Sequence, residues 1–273
     1  MTFRLLFVGD VVGPSGLAAA LDLVPKLRGE LSLDAVVINA ENSAPSGRGV
    51  TARSGLALLE VADFLPLGNH AFDEEGHEGF LQAEKRVIRP ANFDGRRPGR
   101  GWGTFEAGGV RVGVANVLGK VFIERTKTSA FETADEALAD LEGRADLVLV
   151  DSHAEATAEK LALGYHLAGR AQAVLGTHPH VATADASILP GGTAYATDVG
   201  MTGCSRSVIG FDRFGFLDLF VGSGPGEELG IRVETEGPVH LNAALVEFDP
   251  DARRAVGIEP VRREWVPEGR QAV

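Results

Sequence analysis

The distribution of apolar and polar positions along the chain predicts repeated units of strand, loop and helix. Residues 3–10, FRLLFVGD, form a short apolar run that ends in Gly-Asp, and residues 14–31 follow with apolar positions at helical spacing. The same order recurs at residues 34–62 and 146–169, and residues 172–181 again pass from a strand pattern into a loop. Such repeated units are typical of α/β proteins with largely parallel strands.

Two other stretches follow a different pattern. Residues 102–118 alternate between apolar and polar positions around Gly108 and Gly109, and residues 230–261 contain three β-rich runs with little helix. Both patterns predict antiparallel hairpins. No linker-like stretch divides the chain, so we expect a single domain over residues 1–273, with two mixed β-sheets flanked by helices.

Side chains that can bind metal or transfer protons stand at the ends of five predicted strands. They are Asp10, Glu41, Asn42, Asn69, His70, His153, His178 and His180. Each one alone also fits an ordinary capping or turn role. Loops at one edge of an open α/β sheet converge, however, so five successive strand ends together predict one site. Within LGTHPHV, residues i and i+2 of an extended segment would point His178 and His180 to the same side.

The donor types of this set indicate a binuclear transition-metal site. Imidazoles with two carboxylates and amide oxygens favour iron, manganese, zinc or cobalt over magnesium and calcium. Seven potential ligands are too many for one catalytic ion that keeps an open position, so two ions bridged by a carboxylate and a hydroxide fit better. Paired ions about 3.5 to 4 Å apart suit phosphoester hydrolysis, in which a non-ligating histidine protonates the leaving oxygen.

Composition narrows the partners and the compartment. Lys and Arg total 26 and Asp and Glu total 38, so the net charge is −12. This charge disfavours binding of duplex nucleic acid. A small phosphorylated ligand remains compatible with it if bound metal attracts the phosphate. The single cysteine, Cys204, allows no intramolecular disulfide. Gly9 and Asp10 interrupt the first apolar run before the length of a signal peptide or membrane span, so we expect a cytoplasmic protein without membrane contact.

The order of these motifs resembles that of the calcineurin-like binuclear metallophosphoesterases. Several stretches closely resemble the bacterial YmdB-like metallophosphoesterases within that superfamily: GDVVG, NAENSAP, GNHAFD, RPANF, DSHAEATAEK, GTHPHVATAD, LPGGTAY and TDVGMTG. The resemblance extends over essentially the whole chain. It implies a four-layer α/β/β/α sandwich and two ions of the iron or manganese type, with zinc left open. It also implies hydrolysis of small phosphodiesters, including 2′,3′-cyclic nucleotides.

The resemblance also implies a role for each site residue. One ion is assigned Asp10, Glu41 and His180, with Asn42 at or beside it, and the other is assigned Asn69, His153 and His178. Glu41 bridges the two ions, and His70 is the general acid. The chain departs from the broader superfamily at Val12, where a histidine is usual. From the residues themselves, Asp151 and Asp198 either orient ligand histidines or have ordinary loop roles, and Arg48 either contacts phosphate or is a solvated loop arginine.

Two other functions remain open from the sequence. A zinc amidohydrolase also uses a His-x-His pair, but there the pair follows the first strand and an aspartate comes last, the reverse of the order here. A regulatory protein that binds metal with little catalysis is the second alternative. The physiological substrate, the metal in the cell and association into a homo-oligomer are not decided by the sequence.

Overall fold

The computed structural model describes residues 2–93, 97–222 and 231–267. The strands of these ranges are β1 (Phe3–Val8), β2 (Ala35–Ile38), β3 (Leu65–Pro66), β4 (Val87–Ile88), β5 (Trp102–Ala107), β6 (Val110–Leu118), β7 (Leu147–His153), β8 (Ala173–Thr177), β9 (Ser187–Leu189), β10 (Thr193–Ala196), β11 (Gly203–Cys204), β12 (Val239–Asp249) and β13 (Arg254–Trp265). The helices are α1 (Gly13–Glu30), α2 (Ala52–Leu58), α3 (His77–Ala83), α4 (Ala130–Leu141), α5 (Thr157–Leu167) and α6 (Arg213–Val221).

Two mixed sheets form the centre of the fold. The first has the order β11-β12-β1-β2, with β13 also paired to β12. Its strand β1 runs parallel to β2 and antiparallel to β12. The second sheet has the order β5-β6-β7-β8-β10-β9, in which the four central strands are parallel and the two edge strands antiparallel. Strands β3 and β4 form a separate short parallel pair.

Alternate residues of the central strands face opposite layers, as the period of a strand requires. Leu6 of β1 packs in one apolar cluster with Leu27 of α1, whereas Phe7 packs in a second cluster with Leu149 of β7. A third cluster joins the other face of β7 to α4 and α5. The three clusters therefore separate four layers, helix, sheet, sheet and helix, and the predicted α/β/β/α sandwich is confirmed.

Both predicted antiparallel hairpins are present, but the predicted number of strands in the second one is wrong. Strands β5 and β6 pair antiparallel around Gly108 and Gly109, which have φ of 55° and 77°. Between residues 231 and 261 the structure has two long strands, β12 and β13, and not three. The earlier run contributes only an isolated bridge at Val233, because Gly237, with φ of 104°, and Pro238 interrupt the ladder before β12 begins.

Helix α1 fixes the first loop of the candidate site. It begins at Gly13, whose φ is 63°, and carries a proline in its first turn, where the helix needs no backbone donor. The short connection from β1 therefore holds Asp10 at the edge of the sheet. No helix in the described ranges combines the length and the apolar character that crossing a membrane requires.

Candidate metal centre

The loops after β1, β2, β3 and β8 meet at the end of β7 and bring the predicted residues together. Donor atoms of Glu41, His153 and His178 lie within 4.8 Å of one another. Donor atoms of Asp10, Glu41 and His180 form a second group within the same distance. Glu41 belongs to both groups, which is the arrangement that a bridging carboxylate needs.

The first group has a nitrogen that faces oxygen atoms on two sides. His153 Nε2 lies 2.9 Å from Asn69 Oδ1 and 3.2 Å from Glu41 Oε1. Its Nδ1 lies 2.8 Å from Thr177 Oγ1, and that hydroxyl donates to Asp151 over 2.6 Å. Thr177 therefore accepts a hydrogen bond from the Nδ1–H group, so a second proton or a metal ion must separate Nε2 from the two oxygens.

The electrostatics of this group show the same requirement for a cation. Burial disfavours the charged His153 ring, but the Glu41 carboxylate outweighs that cost and raises the pKa of His153 to about 9. Burial alone would raise the pKa of Glu41, but the attraction of His153 outweighs burial, and the pKa of Glu41 lies well below its usual range. The two groups thus stabilise each other's charge, and Glu41 stays ionised as a metal ligand must.

The second group contains acceptors without partners. Asp10 Oδ2 accepts from the backbone N–H of His178 at 3.2 Å, but Asp10 Oδ1 and Asn42 Oδ1 are buried with no hydrogen-bond donor among the described residues. Leaving such an atom unsatisfied costs about 1 to 3 kcal/mol. His180 Nδ1 donates to the Ile209 carbonyl at 2.7 Å, so Nε2 is an acceptor, and it accepts from Asn42 Nδ2 at 3.0 Å. These donors fit a bound metal ion.

The GTHPH loop differs from the expected extended conformation. His178 and His180 have φ of 101° and 67°, a left-handed region that residues other than glycine rarely adopt. The prediction that an extended segment points both rings to one side is therefore wrong, since each ring joins a different group. These backbone angles are strained. Strained residues of this kind cluster at functional sites, where the surrounding structure maintains them.

Gly68 is a site residue that the sequence reasoning missed. A Cβ at this position would lie 2.0 Å from Glu41 Oε2 and 2.4 Å from His153 Nε2, much closer than a van der Waals contact allows. Only glycine therefore leaves room for the shared carboxylate and the ring. The available signal was a glycine directly before Asn69 and His70 at a strand end, where a backbone approaches a site closely.

The two candidate orienting carboxylates differ from each other in their contacts. Asp151 contacts His153 only through Thr177, and burial raises the pKa of Asp151 to about 7. Asp198 accepts from Lys160 and from the backbone N–H of Gly200, so among its hydrogen bonds in the described ranges none reaches a histidine. Asp151 therefore supports the site indirectly, and Asp198 belongs to a separate buried ion pair.

Lys160 forms that ion pair beneath the GTHPH loop. Its side chain is fully buried, and Nζ lies 2.7 Å from the Thr177 carbonyl and 2.9 Å from Asp198 Oδ2. Lys160 was not predicted as a buried residue, although helical spacing in α5 places it on the same buried face as Leu163 and Leu167. The ammonium thus ties the end of β8 to the loop after β10.

We expect the Lys160→Met variant to lose about 3 kcal/mol of unfolding free energy, because Asp198 is left buried without its partner. Adding Asp198→Asn should recover part of the loss. The control is Arg28→Met, which removes a one-third-exposed pair with Asp63 and should cost less than about 1 kcal/mol. Urea denaturation with chelator present measures all three variants, and equal losses for Lys160→Met and Arg28→Met would contradict the expectation.

The structure also gives the contacts of His70 and Arg48, the remaining two candidates. His70 Nδ1 is 2.6 Å from Asp73 Oδ2, and the His70 backbone N–H donates to Glu41 Oε2 at 3.2 Å. Asp73 thus occupies Nδ1 and leaves Nε2 for a ligand. Arg48 is exposed, and its guanidinium stands 6.0 Å from the centre of the Phe211 ring.

Comparison with known proteins places this arrangement in a family. The family model described as YmdB-like protein matches residues 6–261. The chain belongs to the YmdB-like family. This YmdB-like chain is 39% identical over 260 residues to the 2′,3′-cyclic-nucleotide 2′-phosphodiesterase of Bacillus subtilis (strain 168), a match that covers 94% of the chain and 96% of that protein.

The YmdB-like chain is also similar to solved structures. A hypothetical protein from Thermus thermophilus is 40% identical with a TM-score of 0.87, over 96% of this chain and 99% of that one. A phosphatase of Mycoplasma pneumoniae is 30% identical with a TM-score of 0.87, over 97% and 94% of the two chains. The predicted family and fold are confirmed, and the names of these relatives support the prediction of a hydrolase of phosphoric esters.

Proposed function

We propose that this YmdB-like chain is a binuclear metal-dependent phosphodiesterase that hydrolyses small phosphodiesters, with 2′,3′-cyclic nucleotides as the substrate class. The observation that carries the proposal is the pair of donor groups that share Glu41. The substrate class rests on the name of the Bacillus subtilis relative, which is 39% identical over nearly the full length of both chains.

The proposed ligand sets follow the two donor groups. Asp10, Glu41 and His180 hold one ion with Asn42 beside it, and Glu41, Asn69, His153 and His178 hold the other. Iron or manganese suits this mixture of imidazole, amide and carboxylate donors, and zinc is compatible with it. When bound, the two ions supply the positive charge that binds the phosphate and lowers the pKa of the attacking water.

His70 is the proposed general acid. It contacts the shared carboxylate through its backbone N–H only, so its ring is not committed to the two donor groups. As water adds to phosphorus, the bond to the leaving oxygen breaks, and that oxygen keeps the electron pair and takes the Nε2 proton. A cyclic diester thus opens to a phosphomonoester and a free ribose hydroxyl. The proton lost by water passes to solvent, and His70 regains its proton from solvent before the next turnover.

The remaining features support a cytoplasmic, single-domain enzyme. The first sheet combines β1 and β2 with β12 and β13, so strands from both ends of the chain share one core. The lone cysteine is buried and requires no oxidising compartment. The net charge of −12 favours a small substrate over duplex nucleic acid.

The test combines metal analysis with a panel of diesters. We expect about two transition-metal ions per chain, and hydrolysis of 2′,3′-cyclic nucleotides that chelator abolishes and manganese or ferrous iron restores. The variant His70→Ala should keep both ions but open cyclic nucleotides about 10² to 10⁴ times more slowly, the usual contribution of a general acid. Asn69→Ala should lose metal as well as rate.

Two outcomes would contradict the proposal. A fully metal-loaded protein that hydrolyses no diester in the panel would favour a regulatory metal-binding protein. Release of ammonia or amine from amide substrates, with no diester hydrolysis, would favour an amidohydrolase.

A further inference from the structure

Arg125 reaches the candidate site from a loop that carries no metal donor. It lies between β6 and α4, and its Nη1 is 3.0 Å from the Asn69 carbonyl and 2.7 Å from Asp73 Oδ1. The other oxygen of Asp73 is 2.6 Å from His70 Nδ1. One guanidinium nitrogen therefore holds both ends of the segment that contains a proposed metal ligand and the proposed acid.

The segment of residues 68–73 has few backbone hydrogen bonds of its own to hold its side chains in place. Residues 68–73 form two successive turns, closed by Ala71 N to Gly68 O at 3.1 Å and Asp73 N to His70 O at 3.0 Å. The segment belongs to no strand, and the Asp73 side chain is partly exposed. Without a fixed partner, Asp73 and the His70 ring could occupy several rotamers.

The loop that carries Arg125 is itself anchored on both sides. The backbone N–H of Gly119 donates to the His153 carbonyl at 2.9 Å, and that of Lys120 donates to Glu159 Oε1 at 2.8 Å. After Arg125, the backbone N–H of Lys127 donates to the Asn92 carbonyl at 3.1 Å. Arg125 thus connects the acid segment to rigid parts of the second sheet.

We infer that Arg125 is a positioning residue for proton delivery: together with Asp73 it fixes the His70 ring so that Nε2 meets the leaving oxygen. The inference rests on the proposed function. In the step concerned, the P–O bond to the leaving oxygen breaks, the electron pair stays on that oxygen, and the Nε2 proton bonds to it. Arg125 and Asp73 keep their own protonation states throughout.

Dependence on the leaving group distinguishes this role from a general structural one. p-Nitrophenolate is a good leaving group and departs without protonation. A ribose oxygen is a poor leaving group and must be protonated as it departs. We expect Arg125→Met to slow the opening of 2′,3′-cyclic nucleotides about 10 to 100-fold in kcat, part of the contribution of the acid itself. The rate with bis(p-nitrophenyl) phosphate should stay within about 2-fold, as for a surface substitution.

A matched control exists at the opposite end of β6. Arg111 pairs with Asp146 at 2.7 Å and is 47% exposed, which closely matches the 2.7 Å and 49% of Arg125 with Asp73. We expect Arg111→Met to change neither rate. Metal content of each variant is measured in parallel, and added guanidinium ions should restore cyclic nucleotide opening in Arg125→Ala.

The outcomes separate this inference from the proposed function. Equal losses with both substrates, or a raised KM for both, would overturn the positioning role. Unchanged rates in Arg125→Met, with His70→Ala still selective for the poor leaving group, would overturn it while leaving the proposed function intact. An absence of leaving-group selectivity in His70→Ala would refute the acid role and this inference with it.

Discussion

Replacement of Glu41 with glutamine is expected to abolish two-metal binding and to lower kcat/KM for diesters by a factor on the order of 10³ or more. Glu41 is the carboxylate that both donor groups share, so an amide in its place removes charge from both at once. The side chain keeps its shape, and the fold should survive. Metal analysis, diester kinetics and circular dichroism of the purified variant provide the measurements.

The matched control for this variant is Glu155→Gln. Glu155 lies 3.1 Å from His178 Nε2 and belongs to neither donor group, and its side chain is about half exposed. We expect it to weaken metal binding only about 10 to 100-fold, as loss of a carboxylate behind a ligand histidine usually does. If Glu41→Gln retains both ions and near-normal rates, Glu41 does not bridge.

The second large effect is expected from Gly68→Ala. The added methyl group would stand 2.0 Å from Glu41 Oε2 and 2.3 Å from His153 Cε1, so the carboxylate and the ring must both move. A displacement of about 1 Å in a catalytic group costs about 10²-fold in rate, and a two-metal site should lose affinity as well. The overpacking should also cost about 1 to 3 kcal/mol of stability.

Gly79→Ala is the control for this variant in the next helix along the chain. A Cβ at Gly79 meets no atom within 4 Å, and the residue lies in α3. Alanine there should stabilise the helix by up to about 1 kcal/mol without a change in activity. Metal content, unfolding free energy and diester hydrolysis are compared in the two variants. Equal activity in both would contradict the steric role of Gly68.

The grouping of the candidate donor residues could be predicted from the sequence because one rule places them. The carboxyl ends of parallel strands converge, and this predicts that Asp10, Glu41, Asn69, His153 and the GTHPH pair lie together. The family resemblance added the division into two sets that share Glu41. The layers followed in the same way, since the period of two in β1 and β7 sends alternate residues into different clusters.

What the sequence did not show depends on contacts between distant segments. The segment that holds His178 and His180 contacts residues from other elements: Lys160 on α5 donates to the Thr177 carbonyl, and the His180 ring contacts the Ile209 carbonyl. The approach of Gly68 to Glu41 and of Arg125 to Asp73 likewise joins residues far apart in the sequence. Local patterns carry no information about such pairs, so periodicity could not reveal them.

The placement of Glu41 beside one sheet and His153 on the other gives the donor groups a mechanical role. Each group takes residues from loops of both sheets, so a bound ion would act as a cross-link between the two halves of the sandwich. A ligand that binds only the folded state raises the free energy of unfolding by about 2.7 kcal/mol when its free concentration is 100 times its Kd. We therefore expect the melting temperature of this protein to rise with free metal concentration, so that a melting curve serves as a titration of the candidate site without any substrate.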